Sequence, residues 1–234
     1  MYLRLLSTVV NTTYGLVNGS VISLKTNKTV VSYLGIPFAK AGRLEYPVPP
    51  DKWTSTLQAN KIDKICPQPG LPPNKLLLMN EDCLLLNVYV PANATSISAL
   101  PVMLWIHGGA FILGDTLIYD GSVLATEGDV IVVTAAYRLG VFGFLSANTD
   151  NLRGNYGMMD QIEAMKWVNK NIARFGGDPN KVTIFGESAG GMSVALLLLS
   201  PLASGLYQNV IIQSGTAAAL PATLERDEAD LRAR

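Results

Sequence analysis

The sequence predicts an α/β fold in which helices flank a central, mostly parallel β-sheet. One observation is a set of continuous apolar runs, at residues 84–90, 102–106, 130–135, 182–185 and 210–212. Such runs are typical of strands that are covered on both faces. A second observation is a set of apolar residues spaced by three and four, between the third and fourth runs: Met158, Ile162, Met165, Val168 and Ile172. This spacing predicts one face of a helix, and strands that alternate with helices form an α/β domain.

The third observation is the segment 182–199, which has the pattern of a strand, an abrupt turn and a buried helix, with Ser188 at the apex of the turn. Gly186 and Gly190 leave room for neighbouring backbone in this strained turn. We therefore expect Ser188 Oγ to be raised clear of the sheet as a nucleophile. The Ala189 N–H would point at the reacting carbonyl, at a helix N-terminus whose partial positive charge favours an oxyanion. The alternative is a plain Gly/Ser turn, which the flanking strand and helix disfavour.

The N-terminal part of the chain predicts a small antiparallel sheet. Short β-prone segments, at residues 9–17, 21–24 and 30–36, are separated by Asn-Gly and Thr-Asn turns. Residues 39–73 are rich in Pro, Lys and Asp and have no sustained periodicity, which predicts an ordered loop.

Composition limits the possible partners. The 234 residues are 49% apolar, enough for a single domain over residues 1–234 with a full core. Lys and Arg total 18, as do Asp and Glu, so no net charge favours nucleic acid or an anionic membrane surface. The apolar runs are far shorter than a membrane span. The sequence thus predicts neither a nucleic-acid partner nor a membrane span, and no cofactor or metal.

Two features favour a secreted protein or one in the lumen of the secretory pathway. The chain has two cysteines, Cys66 and Cys83, and four acceptor sequons, at Asn11, Asn18, Asn27 and Asn93. Both suit an oxidising compartment in which glycoproteins form. Residues 1–7 are too short for a secretory signal, and a chance origin of some sequons is the alternative.

Further motifs follow one another along the chain: YLGIPFA at 33–39, EDCL at 81–84, LNVY at 86–89, WIHGG at 105–109, YRLG at 137–140, GNYG at 154–157, DQ at 160–161 and FGGDP at 175–179. In this order they resemble the type-B carboxylesterase and cholinesterase family, whose fold is the α/β-hydrolase fold, over about residues 9–215. The resemblance implies hydrolysis of a small carboxylic ester through an acyl-serine intermediate at Ser188.

The resemblance also implies an oxyanion hole. His107-Gly108-Gly109-Ala110 is similar to the family's oxyanion loop, in which the N–H groups of Gly109 and Ala110 act together with that of Ala189. The family usually has glycine at the third position of this motif. The methyl group of Ala110 therefore affects the room for substrate rather than the stabilisation of charge.

Two ionisable residues near these motifs have alternative interpretations. His107 is the only histidine, and its place at the end of the oxyanion strand favours a structural role over that of catalytic base. Glu187 precedes the nucleophile, where it either tunes the electrostatics and water of the site or is held in local hydrogen bonds.

Three pairings are further implied by the resemblance. They are a disulfide between Cys66 and Cys83 and two buried ion pairs, Arg43 with Glu81 and Arg138 with Asp160. The loop between the cysteines has no tryptophan, although cholinesterases place the indole that stacks on choline there. A choline ester is therefore a poor candidate for the substrate.

In this family the triad follows the order serine, acid, histidine. Only 46 residues follow Ser188, and none of them is histidine. The expectation is an N-terminal half of an esterase, with nucleophile and oxyanion loop but without the acid and histidine, and nearly inactive and poorly soluble by itself. The alternatives are a non-catalytic adhesion or binding protein, similar to the neuroligins, and a stand-alone truncated protein without hydrolytic function.

Overall fold

The computed structural model describes residues 8–70, 72, 76–95, 97–147, 149 and 152–218. In chain order the strands are β1 (Val9–Asn11), β2 (Leu16–Asn18), β3 (Ser20–Ser23), β4 (Thr29–Pro37), β5 (Leu57–Gln58), β6 (Leu85–Pro91), β7 (Leu100–Ile106), β8 (Ile131–Ala135), β9 (Gly177–Glu187) and β10 (Asn209–Gln213). The α-helices are α1 (Ser122–Gly128), α2 (Gly140–Phe144), α3 (Tyr156–Asn171) and α4 (Ala189–Leu199). Short 3-10 helices follow α3 at Ile172–Phe175 and α4 at Pro201–Ala203.

A seven-stranded sheet with the order β10-β9-β7-β8-β6-β4-β3 forms the centre of the described structure. The pairs from β10 to β8 are parallel, and the pairs from β8 to β3 are antiparallel. β6 is antiparallel to both β8 and β4, so β4 runs in the same direction as β7, β8, β9 and β10. The predicted central sheet is confirmed, with its antiparallel pairs gathered at one end.

The N-terminal strands are divided between two sheets. β1 pairs antiparallel with β2, and β2 pairs parallel with β5, which gives a small three-stranded sheet. A small sheet is present, but it is mixed rather than antiparallel, because β5 comes from the predicted loop and pairs in parallel. The expectation that residues 21–24 and 30–36 belong to this sheet was also wrong. β3 and β4 instead extend the central sheet beside β6. Val30, Val31 and Ile36 are buried there, because a long apolar strand gains more burial in the central core than in a small sheet.

The predicted core strands coincide with β6 to β10, but they differ in burial. Every residue of β6 and of β8 is buried, as expected for strands inside a sheet that is covered on both faces. β10 differs, since Ile211 is 42% exposed. β10 is the edge strand and pairs only with β9 among the described residues, which also leave its faces largely exposed.

The helices carry the predicted apolar faces. In α3, Ile162, Met165 and Val168 are buried, and Ile172 continues this face into the following 3-10 turn. α4 packs against β7, β9 and β10, and its first turns are buried. None of the described helices is both long and apolar enough to cross a membrane.

Arg138 and Asp160 form a buried ion pair, as expected. The Arg138 side chain is 5% exposed and that of Asp160 is fully buried. Arg138 Nε donates to Asp160 Oδ2 at 2.8 Å, and Nη2 donates to Oδ1 at 2.7 Å. Arg138 Nη1 also donates to the Glu45 carbonyl at 2.8 Å, which fixes the 42–45 loop. Burial raises the pKa of the Asp160 carboxyl, and the hydrogen bonds from Arg138 oppose that rise.

The second expected pair forms, but the prediction that it is buried was wrong. Arg43 Nε donates to both carboxylate oxygens of Glu81, at 3.1 and 3.0 Å, and Nη2 also donates to Oε1. The Arg43 side chain is 65% exposed. The guanidinium lies 5.6 Å from the ring centre of Phe142. Water therefore screens this pair, which lies at the surface.

Cys66 and Cys83 form the expected disulfide, with 5.0 Å between their Cα atoms. Both cysteines are buried, and Cys83 lies two residues before β6. The disulfide joins the irregular segment before Cys66 to the start of a central strand.

The contrast between the two ion pairs gives a prediction for stability. Arg138→Met leaves the Asp160 carboxylate buried without its partner, so we expect the free energy of unfolding to fall by about 3 to 5 kcal/mol. The measurement is urea unfolding followed by circular dichroism at neutral pH. The control is Arg43→Met, which should leave the urea midpoint nearly unchanged because the pair with Glu81 is exposed. Equal losses in the two variants would contradict the assignment.

Candidate active site

Ser188 lies in the sharp turn between β9 and α4, as the segment 182–199 predicts. β9 ends at Glu187 and α4 begins at Ala189, so one residue makes the connection. Ser188 has φ 55° and ψ −122°, a conformation that residues other than glycine rarely adopt. Its N–H donates to the Gln213 carbonyl of β10 at 2.9 Å, and its carbonyl accepts from the Met192 N–H at 2.9 Å. The surrounding backbone thus holds the strained residue in place.

Gly186 and Gly190 allow three backbone segments to meet below Ser188. A Cβ atom on Gly190 would lie 2.0 Å from the Ile106 carbonyl oxygen at the end of β7. A Cβ atom on Gly186 would lie 2.6 Å from the same oxygen. Both distances are too short for non-bonded atoms, so these two positions require glycine. This is the close approach that the sequence predicts for them.

The loop that follows β7 contacts the nucleophile turn. A Cβ atom on Gly108 would lie 3.2 Å from Ser188 Cβ and 2.7 Å from the Glu187 carbonyl oxygen. The loop then turns tightly, since the N–H groups of Ile112 and Leu113 both donate to the Gly109 carbonyl at 3.0 Å. Gly108 thus brings the loop against Ser188, and the tight turn fixes the peptides that follow it.

The loop after β7 and the start of α4 together offer three N–H groups as candidate donors. Those of Gly109 and Ala110 donate to no described residue. The Ala189 N–H belongs to the first turn of α4, where amide groups have no acceptor within the helix. Gly109 has φ 106° and Ala110 has φ 56°, so both lie in the left-handed region. Ala110 adopts there a conformation that glycine would adopt with less strain, and it is exposed.

His107 is buried below this loop. The residue is 1% exposed, and its Nδ1–H donates to the Gly108 carbonyl at 2.8 Å. The ring stacks on Tyr137 with 4.3 Å between ring centres, and Tyr137 Oη donates to the His107 carbonyl at 2.8 Å. Burial lowers the pKa of His107 to about 4, so the ring is neutral at physiological pH. Its environment agrees with the expected structural role.

The Glu187 side chain is exposed beside Gly108 and makes no hydrogen bond to a described residue. Burial raises the pKa of Tyr119, and the negative charge of Glu187 raises it further. These facts favour the electrostatic interpretation of Glu187 over local hydrogen bonds. Ser188 Oγ likewise has no hydrogen-bond partner among the described residues.

The described residues contain no group of His, Cys, Asp and Glu side chains that is placed to hold a metal.

The sequence gives no signal for two residues that shape the site. Gln213, in β10, supplies the carbonyl that accepts the Ser188 N–H. Gln68, after the first cysteine, makes two hydrogen bonds of 2.8 Å to the backbone of Gly114 at the end of the oxyanion loop. Both contacts join residues far apart in the sequence, so no local pattern could reveal them.

Comparison with known proteins gives the family of the chain. The family model described as Carboxylesterase family matches residues 6–233. Over 223 residues the chain is 46% identical to the acylcarnitine hydrolase of Mus musculus, with 88% of this chain and 40% of that protein covered. Over 219 residues it is 48% identical to the para-nitrobenzyl esterase of Bacillus subtilis (strain 168), with 88% and 43% covered.

Solved structures show the same fold. A PNB esterase structure matches with a TM-score of 0.86 and 46% identity, covering 97% of this chain and 47% of that one. The chain thus spans less than half the length of these relatives. Its fold is the α/β-hydrolase fold, and the chain belongs to the carboxylesterase family.

Proposed function

We propose that residues 1–234 are the nucleophile-bearing part of a single α/β-hydrolase domain that hydrolyses small carboxylic esters. The observation that carries the proposal is Ser188, held in a strained turn against Gly108 of a loop whose Gly109 and Ala110 N–H groups donate to no described residue. Strain at a turn between strand and helix is a feature of catalytic nucleophiles. The family and the names of two relatives, a hydrolase and an esterase, support the same reaction class.

In the proposed reaction, Ser188 Oγ attacks the carbonyl carbon of the ester. The carbonyl oxygen becomes an oxyanion, which accepts hydrogen bonds from the N–H groups of Gly109, Ala110 and Ala189. Collapse of the tetrahedral intermediate breaks the bond to the alcohol oxygen, which takes up the proton lost by Ser188 and leaves as the alcohol, and the acyl group stays on Ser188. Water then attacks this acyl-serine and releases the acid, which restores the hydroxyl.

The proton of Ser188 needs a base, and this sequence does not supply one. The single histidine of the sequence, His107, is buried, and His107 Nδ1–H donates a hydrogen bond to the Gly108 carbonyl. We propose that the base and the acid that orients it come from residues outside this sequence, in the whole protein. The 234 residues alone would then hydrolyse esters slowly, because a neutral serine hydroxyl is a weak nucleophile.

Replacing the nucleophile tests the proposal. In the full-length protein that contains this sequence, Ser188→Ala should lower kcat for p-nitrophenyl acetate by at least about 10⁴-fold, since no acyl-enzyme can form. The control is Ser204→Ala, an exposed serine after α4, which should keep the wild-type rate. The measurement is release of p-nitrophenol, including a burst equal to the enzyme concentration. Absence of hydrolysis by the folded wild-type protein would favour the non-catalytic adhesion or binding alternative.

The oxyanion loop gives a paired prediction. Gly109→Ala places a Cβ atom 1.8 Å from the Leu113 carbonyl oxygen, so the loop must move. We expect kcat to fall by about 10²-fold or more, as for the loss of an oxyanion donor. Ala110→Gly keeps the N–H, relieves the left-handed strain and removes a methyl group.

For Ala110→Gly we expect kcat for acetate esters to be retained and the rate for bulkier acyl groups to rise. Steady-state kinetics with p-nitrophenyl acetate and p-nitrophenyl valerate measure both effects. If Gly109→Ala has wild-type kcat, these N–H groups do not form the oxyanion hole.

We further propose that the protein is a glycoprotein of the secretory pathway. The Cys66–Cys83 disulfide supports an oxidising compartment. Asn27 is exposed in the turn between β3 and β4, with φ 60°. Asn18 is half-buried, and its Nδ2, the atom that a glycan would modify, donates to Gln58 Oε1 at 3.0 Å.

The sequons should therefore differ in occupancy. In protein secreted from eukaryotic cells, we expect Asn27→Gln to remove the mass of one N-linked glycan, because Asn27 is free to carry one. Asn18→Gln should leave the glycan mass unchanged. Mass spectrometry before and after glycosidase treatment measures both. A glycan on Asn18, or an unmodified Asn27 in the secreted protein, would contradict the proposal.

A further inference from the structure

Gln68 holds the backbone of Gly114 through both ends of its side-chain amide. Nε2 donates to the Gly114 carbonyl at 2.8 Å, and Oε1 accepts from the Gly114 N–H at 2.8 Å. Nε2 also donates to the Cys66 carbonyl at 3.1 Å. The residue is only 8% exposed, so these bonds are largely shielded from water. Gly114 is therefore fixed in position and in orientation relative to Cys66.

Gly114 in turn lies against the oxyanion loop. A Cβ atom on Gly114 would lie 2.4 Å from His107 Nδ1 and 2.7 Å from the Gly108 carbonyl oxygen. The preceding carbonyl, that of Leu113, is the atom that a Cβ on Gly109 would meet at 1.8 Å. The return of the loop at 113–114 is thus in close contact with the peptides that carry the oxyanion donors.

The other side of this contact is anchored to the central sheet. Cys66 is bonded to Cys83, which is fully buried just before β6. β6 is an inner strand of the sheet, between β8 and β4. A continuous path therefore runs from β6 through the disulfide, the Cys66 carbonyl and Gln68 to the return of the oxyanion loop.

We propose that Gln68 is a positioning residue for the oxyanion hole: through Gly114 it sets where the N–H groups of Gly109 and Ala110 lie relative to Ser188. The inference rests on the proposed ester hydrolysis. Gln68 itself contacts no reacting atom, so its effect passes entirely through the loop. Oxyanion donors act mainly in the transition state, and small displacements of such donors lower kcat more than they change substrate binding.

The test is Gln68→Met in the full-length protein. Methionine has a similar length and lacks both hydrogen-bonding groups, so the loop loses its anchor while the space stays filled. We expect kcat for p-nitrophenyl acetate to fall about 10- to 100-fold, with KM changed by less than about 2-fold. Affinity for an aryl trifluoromethyl ketone, which forms a tetrahedral adduct with the serine, should fall by a similar factor. The matched control is Gln58→Met, an exposed glutamine of β5, which should keep wild-type kinetics.

A double-mutant cycle tests the path through the disulfide. Cys66→Ala/Cys83→Ala should itself lower kcat, and adding Gln68→Met to it should cost less than Gln68→Met costs in the wild type, because the anchor is already lost. Additive effects would overturn the role of the disulfide in positioning. Assays at 25 °C, with folding checked by circular dichroism, separate rate from stability.

The outcomes distinguish the two proposals. If the wild type hydrolyses the ester through Ser188 but Gln68→Met lowers only the urea midpoint, Gln68 has a purely structural role and the inference is wrong, while the proposed function stands. If the folded wild type shows no hydrolysis that depends on Ser188, the proposed function is wrong, and the inference that rests on it is overturned as well.

Discussion

The close approach of three backbone segments below Ser188 is the constraint on which the site depends. The Ile106 carbonyl of β7 lies where a Cβ atom on Gly190 of α4 or on Gly186 of β9 would be, at 2.0 and 2.6 Å. Only glycine permits this contact. Because β7 and β9 are adjacent and parallel, the loops at their carboxyl ends lie side by side. The nucleophile turn and the oxyanion loop therefore meet as a consequence of strand order.

Long-range contacts then fix the loops around this centre. Arg138 binds Asp160 of α3 and also the carbonyl groups of Glu45 and Gly42, so one buried guanidinium joins a helix and a loop. On another side, the disulfide and Gln68 fix the return of the oxyanion loop. Buried polar groups of this kind are tolerated because their hydrogen bonds are satisfied within the protein. These contacts fix the 42–45 loop to α3 and the 113–114 backbone to Gln68.

The described site has the arrangement that the proposed ester hydrolysis requires. Ser188 and the N-terminus of α4 follow β9, and the loop of Gly108 and Gly109 follows the adjacent parallel strand β7. His107 lies below the loop as a neutral ring, because burial lowers its pKa to about 4. In the proposed reaction this chain would therefore supply the nucleophile and the oxyanion donors, and the base would come from another part of the protein.

The sequence by itself determined the local features: the core strands, the apolar face of α3 and the glycine-flanked turn at Ser188. Each of these depends on residues within one turn or strand, so periodicity and glycine placement predict them. The tertiary structure alone decided that β3 and β4 join the central sheet, that Arg43 and Glu81 lie in solvent, and that Gln68 binds Gly114. Gln68 and Gly114 are 46 residues apart in the sequence. Such contacts, and the burial of an ion pair, depend on how distant segments pack, because the neighbours that set the energy of each contact are specified by no local pattern.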